Sequence, residues 1–268
     1  MERLLYAAAV AALLAVAAGS FELVTIGGAI AGAAVAFALC ASLGLPGLLM
    51  LLAFFPLTSG LSYALARVAA RGKPGTKAAA PLDRLKRGAA QVLANGAVAA
   101  FLAAYHALTS PNGLVLIEGK ERLTGDACSL LFTAAIGPHN ALFPAVAAAL
   151  ASAAADTASH EVGAALRGRT VRLPQFQRVE PGTTGGVSWQ GSLIAVMTIA
   201  GFALLAHYLG LAQGWREVAA VGAGAVCGNL TDTLAGGLVE GRVKWWGNSL
   251  TNLAGTAAAA AVALAIAL

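Results

Sequence analysis

Charged residues are scarce in this sequence. Only 11% of the 268 residues are Asp, Glu, Lys or Arg, whereas soluble domains carry about 25%. Aromatic residues contribute 6% and hydrophobic residues 59%. A chain with so little polar surface cannot cover a water-exposed globule, which excludes a soluble fold. The composition instead predicts an all-α, polytopic transmembrane helix bundle, with residues 1–268 forming one transmembrane domain.

Cysteine is also rare, and several catalytic motifs are missing. Cys40, Cys128 and Cys227 lie singly in apolar segments, which excludes a disulfide framework and a thiolate metal site. The sequence has no HExxH zinc motif, no GxSxG nucleophile elbow and no Walker A loop. A formal charge of +5 would suit nucleic acid in a soluble protein, but here Lys and Arg serve topology and contacts with anionic lipid or phosphate. The predicted partners therefore include membrane lipids and exclude nucleic acid, and a homo-oligomer stays open.

Long apolar segments recur along the chain at lengths that suit membrane crossing. Seven or eight spans are predicted, near residues 4–19, 22–43, 48–66, 88–108, 127–155, 191–210, 217–239 and 249–267. The fifth segment is too long for one crossing and contains IGPHN, so a broken helix is predicted near Gly137 and Pro138. Lys and Arg concentrate in three connecting segments, 67–87, 164–190 and 240–248. The positive-inside rule assigns these segments to the cytoplasm.

Polar residues near the ends of the spans collect on the side of these basic segments. They are Arg87, Gln91, Asn95, Asp156, Glu161, Asn229, Asp232, Thr233, Asn248 and Asn252. Ionisable groups at membrane depth are costly unless they are paired, solvated or bound to metal, so they are functional hypotheses by default. This distribution predicts a site within the membrane boundary that faces the cytoplasm.

The segment ADTASHEVG, residues 155–163, places two acids after an alanine-rich run. On a helix Glu161 lies about 140° from Asp156 around the axis. Both acids can serve one site only if the helix loosens near Gly163 or if different partners flank it. The alternative is structural, in which the two acids pair with Arg87 or Arg167 and fix the bundle.

The segment PGTTGGVS, residues 181–188, is rich in glycine and precedes a predicted helix. Such a segment can turn its N–H groups inward as a nest, and the helix N-terminus adds its positive dipole end, a combination that suits phosphate oxygens. The alternative is a flexible reverse turn. The residues predicted to bind phosphate here are Pro181, Gly182, Thr183, Gly185, Gly186 and Ser188.

Four motifs together resemble the integral-membrane family that contains phytyl-phosphate kinase, the isoprenoid-salvage enzyme of plants and cyanobacteria. They are ADTASHEVG, PGTTGGVS, GNLTDTLAGG at 228–237 and the spacing R...Q...NG from Arg87 to Gly96, and the resemblance covers roughly residues 20–265. The family signatures look like D-T-x-x-S-E-I-G, P-G-T-D-G-G-V-S and D-S-x-x-G. This chain departs from them at His160, Thr184 and Thr233, where the family has Ser, Asp and Ser.

The resemblance implies an enzyme that transfers the γ-phosphoryl group of ATP or CTP to an isoprenyl monophosphate of the phytyl or geranylgeranyl type. It implies Mg²⁺ as the cofactor, with Asp156, Glu161 and Asp232 as its ligands and Arg87 as a fourth catalytic residue on phosphate. The glycine-rich segment would bind nucleotide phosphates. The other residues expected to bind nucleotide or phosphate are Gln91, Asn95, Asn229, Thr233, Asn248 and Asn252.

Three alternatives use similar residues. A prenol kinase and a CTP-dependent lipid nucleotidyltransferase are the enzyme alternatives. A transporter of an anionic or phosphorylated solute is the alternative of another class, because transporters also carry broken helices and buried carboxylates. A transporter places polar groups near the membrane midplane, whereas here they are skewed to one leaflet, which favours the enzyme.

Overall fold

The computed structural model describes residues 2–55, 86–109, 140–166 and 168–268. Its helices are α1 (Glu2–Ser20), α2 (Ile26–Phe55), α3 (Ala89–Thr109), α4 (Leu142–Leu166), α5 (Trp189–Tyr208), α6 (Trp215–Leu238) and α7 (Asn248–Ala267). Within the described ranges, six of them, α2 to α7, are long and apolar enough to cross a membrane. Large apolar side chains such as Phe101, Met197 and Leu204 are exposed on their outer faces, as expected where a helix faces lipid. The predicted all-α polytopic bundle is confirmed.

Helix α2 reverses direction at Gly44, where φ of 62° and ψ of −146° interrupt the helix. In an unbroken helix Gly28 and Phe54 would lie roughly 39 Å apart. Instead both contact Arg87: its carbonyl oxygen lies against Gly28, and its guanidinium carbon is 5.6 Å from the Phe54 ring centroid. The reversal falls where the sequence separates the second and third predicted spans. Residues 56–66 of the third predicted span lie outside the described residues.

Helix α4 forms the centre of the bundle and packs against α3, α5, α6 and α7. Every residue from 143 to 155 is buried, and most are alanine. Small side chains let neighbouring helices approach closely, which is how helices associate in a lipid environment that offers no hydrophobic drive. At Gly228 of α6, the backbone of α7 and the Ser152 side chain leave no room for a Cβ atom. The alanine run is therefore the packing core of the protein.

Helix α4 extends beyond the apolar run at its C-terminal end. The helix begins at Leu142, whose N–H donates to Oδ1 of Asn140 at 3.0 Å. The predicted break at Gly137 and Pro138 lies outside the described residues. The apolar span is predicted to end near residue 155 with Asp156 and Glu161 on the helical turns that follow, and the helix indeed continues past both acids to Leu166. Hydropathy marks where a helix leaves the apolar environment and not where its backbone hydrogen bonds stop, so the polar turns after residue 155 remain helical.

The segment that follows α4 forms a small antiparallel sheet that the sequence does not predict. Its strands are β1 (Thr170–Arg172), β2 (Gln177–Val179) and β3 (Gly186–Ser188), in the order β2-β1-β3. Thr170 of β1 pairs with Val179 on one side and Ser188 on the other. Strands of three residues are too short to show the alternation that identifies a strand. Because β3 leads directly into α5, the sheet sets the position of the glycine-rich segment.

The cytoplasmic location of the three basic segments stays a prediction, and so does the division of the chain into a single domain. Residues 67–85 of the first segment lie outside the described residues. The other two segments, 164–190 and 240–248, join α4 to α5 and α6 to α7. They therefore meet at the same end of the bundle.

Candidate active site

A polar cavity of about 420 Å³ lies where the starts of α3, α5 and α7 meet the C-terminal parts of α4 and α6. Strand β3 and the turn before it close one side. The predicted site residues in its wall are Arg87, Gln91, Asp156, Glu161, Gly182, Gly185, Gly186, Ser188, Asn229, Asp232, Thr233, Asn248 and Asn252. Pro181, Thr183 and Asn95 are the predicted residues that lie outside this wall. The structure thus brings most of the predicted residues to one cavity.

An acid pair stands in this cavity. The carboxyl groups of Asp156 on α4 and Asp232 on α6 lie within hydrogen-bonding distance of each other. Two carboxylates in contact repel, and a shared proton or a bound cation removes the repulsion. The Asn252 amide lies beside the pair: with its nitrogen toward Asp232 it donates to Oδ1 at 3.1 Å and to the Asn248 carbonyl oxygen at 2.9 Å. In the opposite orientation the same nitrogen donates to Oδ1 of Asn95 at 2.9 Å.

Glu161 does not join the acid pair, although the sequence predicts all three acids as one metal site. In the described part of the chain, no three acidic, histidine or cysteine side chains converge on one metal position. The reason is the angular separation on an unbroken helix, which turns Glu161 away from Asp156 and toward Arg87. The helix does not loosen near Gly163, so different partners flank the two acids. A pair of carboxylates is nonetheless sufficient for Mg²⁺, which is commonly held by one or two carboxylates together with water and substrate phosphates.

Arg87 lies just before α3, and hydrogen bonds of its backbone fix its position. Its N–H donates to the Leu23 carbonyl oxygen at 3.1 Å, and its carbonyl oxygen accepts from the Thr25 N–H at 3.1 Å. These two bonds form a short parallel bridge to the segment between α1 and α2. Arg87 is only 7% exposed. Its Nη2 is 3.7 Å from Oε1 of Glu161, which is the contact that the structural alternative expects for this acid.

The guanidinium of Arg87 has unused hydrogen-bonding capacity. Its Nη1 is buried and has no hydrogen-bond partner among the described residues. Burial lowers the pKa of Arg87, while the carboxylates of Glu161 and Asp156 oppose that shift. The guanidinium group of arginine remains protonated in proteins even so. A buried cation with a free N–H donor is well suited to bind an anion.

Replacing Gly28 by Ala is expected to displace Arg87. A Cβ atom at Gly28 would overlap the Arg87 carbonyl oxygen, whereas one at Gly32 meets nothing nearer than Cγ1 of Val92 at 3.9 Å. We expect Gly28→Ala to destabilise the protein by about 1–3 kcal/mol through overpacking. Gly32→Ala should leave stability unchanged or slightly higher, because alanine is the better helix former. Thermal unfolding of both variants in detergent measures the difference, and equal melting temperatures would contradict the close approach at Gly28.

The glycine-rich segment makes a tight turn that docks on the end of α6. Gly182 and Gly185 have positive φ, of 87° and 72°. At Gly185 a Cβ atom would also overlap the backbone of Gly237, which belongs to α6. Glycine is therefore required at this position both by the backbone conformation and by the contact between turn and helix.

Several hydrogen-bonding groups of this segment are used within the protein. The Gly186 N–H donates to the Thr183 carbonyl oxygen at 2.9 Å, and Oγ1 of Thr183 donates to a backbone carbonyl oxygen at 2.6 Å. Ser188 is the N-cap of α5, where its Oγ accepts from the Gly191 N–H at 3.2 Å. Thr184, a departure from the family pattern, lies in the cavity wall. The sequence predicts that this segment binds phosphate. The hydrogen-bonding groups available for that role are those that the turn and the N-cap of α5 leave unused.

Asn229 adds a second unused donor to the cavity. Its side-chain nitrogen is buried and has no hydrogen-bond partner among the described residues. The neighbouring hydroxyl of Thr233 is engaged, because it donates to the Asn229 carbonyl oxygen at 2.9 Å. Asn229 and Arg87, which lie far apart in the sequence, therefore offer two buried donors to a bound anion.

Glu240 lies in the cavity wall but is absent from the residues that the sequence predicts. Oε2 of Glu240 accepts a hydrogen bond from Oγ1 of Thr251 at 3.2 Å. Oγ1 of Thr251 in turn accepts a hydrogen bond from Nε1 of Trp246 at 3.0 Å. A signal for Glu240 exists in the sequence, since DTASHEVG and DTLAGGLVEG share an Asp-Thr start and a later acid. Other polar wall residues outside the predicted set include Thr157, Ser159, His160, Thr170 and Ser192.

A second cavity, of about 220 Å³, lies on the other side of Arg87. We call it the apolar groove; α1, α2 and α3 form most of its wall. Its members include Leu14, Ala18, Val24, Gly28, Gly32, Val35, Leu52, Phe54, Arg87, Val92, Asn95, Gly96 and Leu150. Arg87 belongs to the walls of both the polar cavity and the apolar groove. Asn95, predicted as a phosphate ligand, lies in the groove and contacts Asn252.

The fold and the two cavities define a polytopic helical membrane protein with a charged cavity at one end of its bundle and an apolar groove beside it. The chain belongs to a family of integral membrane proteins, DUF92, whose family model matches residues 9–260. No curated protein and no solved structure matches the chain. The multi-pass membrane location that the sequence predicts is confirmed by this match together with the apolar helices.

Proposed function

We propose that the protein is a membrane-embedded kinase that transfers the γ-phosphoryl group of ATP or CTP to an isoprenyl monophosphate of the phytyl or geranylgeranyl type. The observation that supports this function is Arg87, a buried cation with a free donor at the boundary between the polar cavity and the apolar groove. An isoprenyl monophosphate has a matching construction, because an anionic head is joined directly to an apolar tail. With the head at Arg87, the phosphate would enter the polar cavity and the tail would follow the groove.

In the proposed reaction a phosphate oxygen of the acceptor attacks the γ-phosphorus of the nucleotide. The bond from the γ-phosphorus to its bridging oxygen breaks, and the nucleoside diphosphate leaves. The acceptor is already an anion, so no side chain has to remove a proton from it. The protein therefore contributes chiefly positioning and charge neutralisation, as in other phosphoryl transfers. Arg87 would neutralise the acceptor phosphate, and Asn229 would donate to a phosphate oxygen in the polar cavity.

The acid pair fits a divalent cation. Asp156 and Asp232 present adjacent carboxyl groups in a wall that also contains Glu240, and hard oxygen ligands are those that Mg²⁺ prefers. We expect Asp156 and Asp232 to hold Mg²⁺ and Glu161 to hold Arg87. When bound, Mg²⁺ supplies charge neutralisation on the nucleotide phosphates.

Arg87 also favours a phosphorylated acceptor over a free prenol, because the unused Nη1 of this buried cation bonds more strongly to an anionic phosphate oxygen than to a neutral hydroxyl group. A CTP-dependent nucleotidyltransferase and a transporter of an anionic solute would use similar groups. The products separate them: a nucleotidyltransferase releases pyrophosphate, whereas a transporter moves its solute across a vesicle membrane without altering it.

The direct test uses the purified full chain in detergent with Mg²⁺, γ-labelled ATP or CTP, and geranylgeranyl or phytyl monophosphate. We expect the label to enter the isoprenyl diphosphate and the nucleoside diphosphate to appear in equal amount. Chelation of Mg²⁺ should stop the reaction, because the acid pair would then lack its cation. Chromatography of the lipid products measures the transfer.

Free geranylgeraniol serves as the acceptor control and should give no labelled product. A labelled monophosphate formed from it would identify a prenol kinase instead. Failure of both nucleotides to label any isoprenyl diphosphate, in protein whose helical content shows that it is folded, would overturn the proposed function.

A further inference from the structure

We propose that the apolar groove is the binding site for a single lipid tail that carries an anionic head, with the head at Arg87 and the tail running along α2. The inference deepens the proposed function and rests on it for the identity of the head group. It is argued from three features of the groove: its small residues, its single cation and its length.

Small residues of α2 create the groove. Gly28 and Gly32 both line it, but they do so for different reasons. Gly28 admits the Arg87 carbonyl oxygen, whereas a Cβ atom at Gly32 would make only an ordinary van der Waals contact, with Cγ1 of Val92 at 3.9 Å. Tight helix packing therefore explains Gly28 and does not explain Gly32. At Gly32 the missing side chain leaves room for a ligand.

Arg87 determines which class of lipid fits. Among the described residues that line the groove it is the only charged one, it is 7% exposed, and its Nη1 has no hydrogen-bond partner. A phosphate or carboxylate head would accept a charge-assisted hydrogen bond from Nη1 of Arg87, whereas the head of a neutral amphiphile would bind this cation more weakly. The charge complementarity selects an anionic head at this end of the groove.

The dimensions favour one tail. The wall on α2 runs from Gly28 to Ala36, which corresponds to roughly 12 Å along a helix axis. A cavity of about 220 Å³ over this length suits one extended chain. We therefore commit to a single-chain anionic lipid as the occupant, and a two-chain phospholipid becomes an outcome of the test.

The experiment is photo-crosslinking of the full chain in detergent with hexadecyl phosphate that carries a diazirine in the middle of its chain. Irradiation followed by peptide mass spectrometry should locate the label on groove residues of α1, α2 and α3, such as Ala18, Val35 and Leu52. Unlabelled hexadecyl phosphate should compete. Hexadecanol, which lacks the anion, and dihexadecyl phosphate, which has two chains, should compete at least tenfold less well.

Two variants fill the groove from opposite walls, and a third is their control. Gly32→Leu on α2 and Ala18→Phe on α1 should each lower labelling of the groove about tenfold. Gly201→Leu is the matched control, since Gly201 lies exposed on α5 and has nothing within 4 Å of its Cβ position. It should label as the wild type does. Comparing two filling variants keeps the test decisive if one of them fails to fold.

The outcomes separate this inference from the proposed function. Label spread over the outer face of α5, or equal labelling in Gly32→Leu, Ala18→Phe and Gly201→Leu, would overturn the groove assignment. So would effective competition by dihexadecyl phosphate. Groove labelling without any phosphoryl transfer would support the lipid site and sink the kinase. Undiminished transfer in both filling variants would support the kinase and sink the lipid site.

Discussion

Replacing Asp232 by Asn is expected to lower the rate of phosphoryl transfer by about 100- to 1,000-fold, the loss typical of removing one preorganised electrostatic group. The substitution keeps the shape of the side chain and removes one charge of the acid pair. With Asp156 alone, the site holds a divalent cation more weakly. The same change removes a repulsion between two adjacent carboxylates in the folded protein. The melting temperature should therefore equal or exceed that of the wild type, as is common when a functional site is relaxed.

Glu180→Gln provides the matched control for Asp232→Asn. Glu180 is an exposed acid in the turn before the glycine-rich segment, and Thr183 contacts its carbonyl oxygen and not its carboxylate. Its rate should stay within about twofold of the wild type, because surface substitutions away from a site have small effects. Steady-state kinetics and thermal unfolding are measured on the same preparations. A lower melting temperature in Asp232→Asn, with an unchanged rate per folded molecule, would assign the acid pair a structural role.

Hydropathy predicts the later helices of this protein well, and the reason is physical. The predicted spans 191–210, 217–239 and 249–267 match α5, α6 and α7 to within two residues at each end. These helices end where the apolar run ends, in tight connections that contain Gly210, Gly214 and Gly247. At α4 the predicted apolar span stops near residue 155 while the helix continues to Leu166, because hydropathy marks where a helix leaves the apolar environment and not where its backbone hydrogen bonds stop.

The sequence predicts which residues belong to the candidate site but not which of them contact each other. Charged and amide side chains near the ends of apolar spans indicate a site, and alternating helix direction brings them to one end of the bundle. Which acid contacts which partner depends on the rotation of each helix. That rotation is set by contacts such as Gly228 with Ser152, which are distant in sequence.

The position of Arg87 between two cavities also escapes sequence analysis. It depends on a two-bond bridge to Leu23 and Thr25, more than sixty positions away along the chain. It depends as well on the reversal of α2 at Gly44, which brings the Phe54 ring next to the Arg87 guanidinium. The sequence thus predicts Arg87 as a phosphate ligand from its residue type, but it does not predict the apolar groove beside it.

Replacing Arg87 by Lys should lower the rate of phosphoryl transfer by about 100-fold, on the order of the loss of one charge-stabilising donor. The positive charge is kept, but lysine has one ammonium group in place of a planar fork. Arg87 directs Nη2 toward Glu161 and has Nη1 unused. A lysine at this position cannot reach both Glu161 and a phosphate with separate nitrogens. Steady-state kinetics with variable isoprenyl monophosphate and variable nucleotide measure the effect.

The neighbouring Lys86 is the control, since it pairs with Glu22 at 3.4 Å near the surface and Lys86→Ala should change the rate less than about twofold. Arg87→Ala is the less informative variant, because it leaves the half-buried Glu161 without its cation and a loss of rate could then come from lost stability. The position of Arg87 predicts a specific split in the kinetic constants. Because its guanidinium lies at the mouth of the apolar groove, Arg87→Lys should raise KM for the isoprenyl monophosphate more than KM for the nucleotide. An equal rise in both constants would place the arginine on the nucleotide, and unchanged constants would confine it to pairing with Glu161.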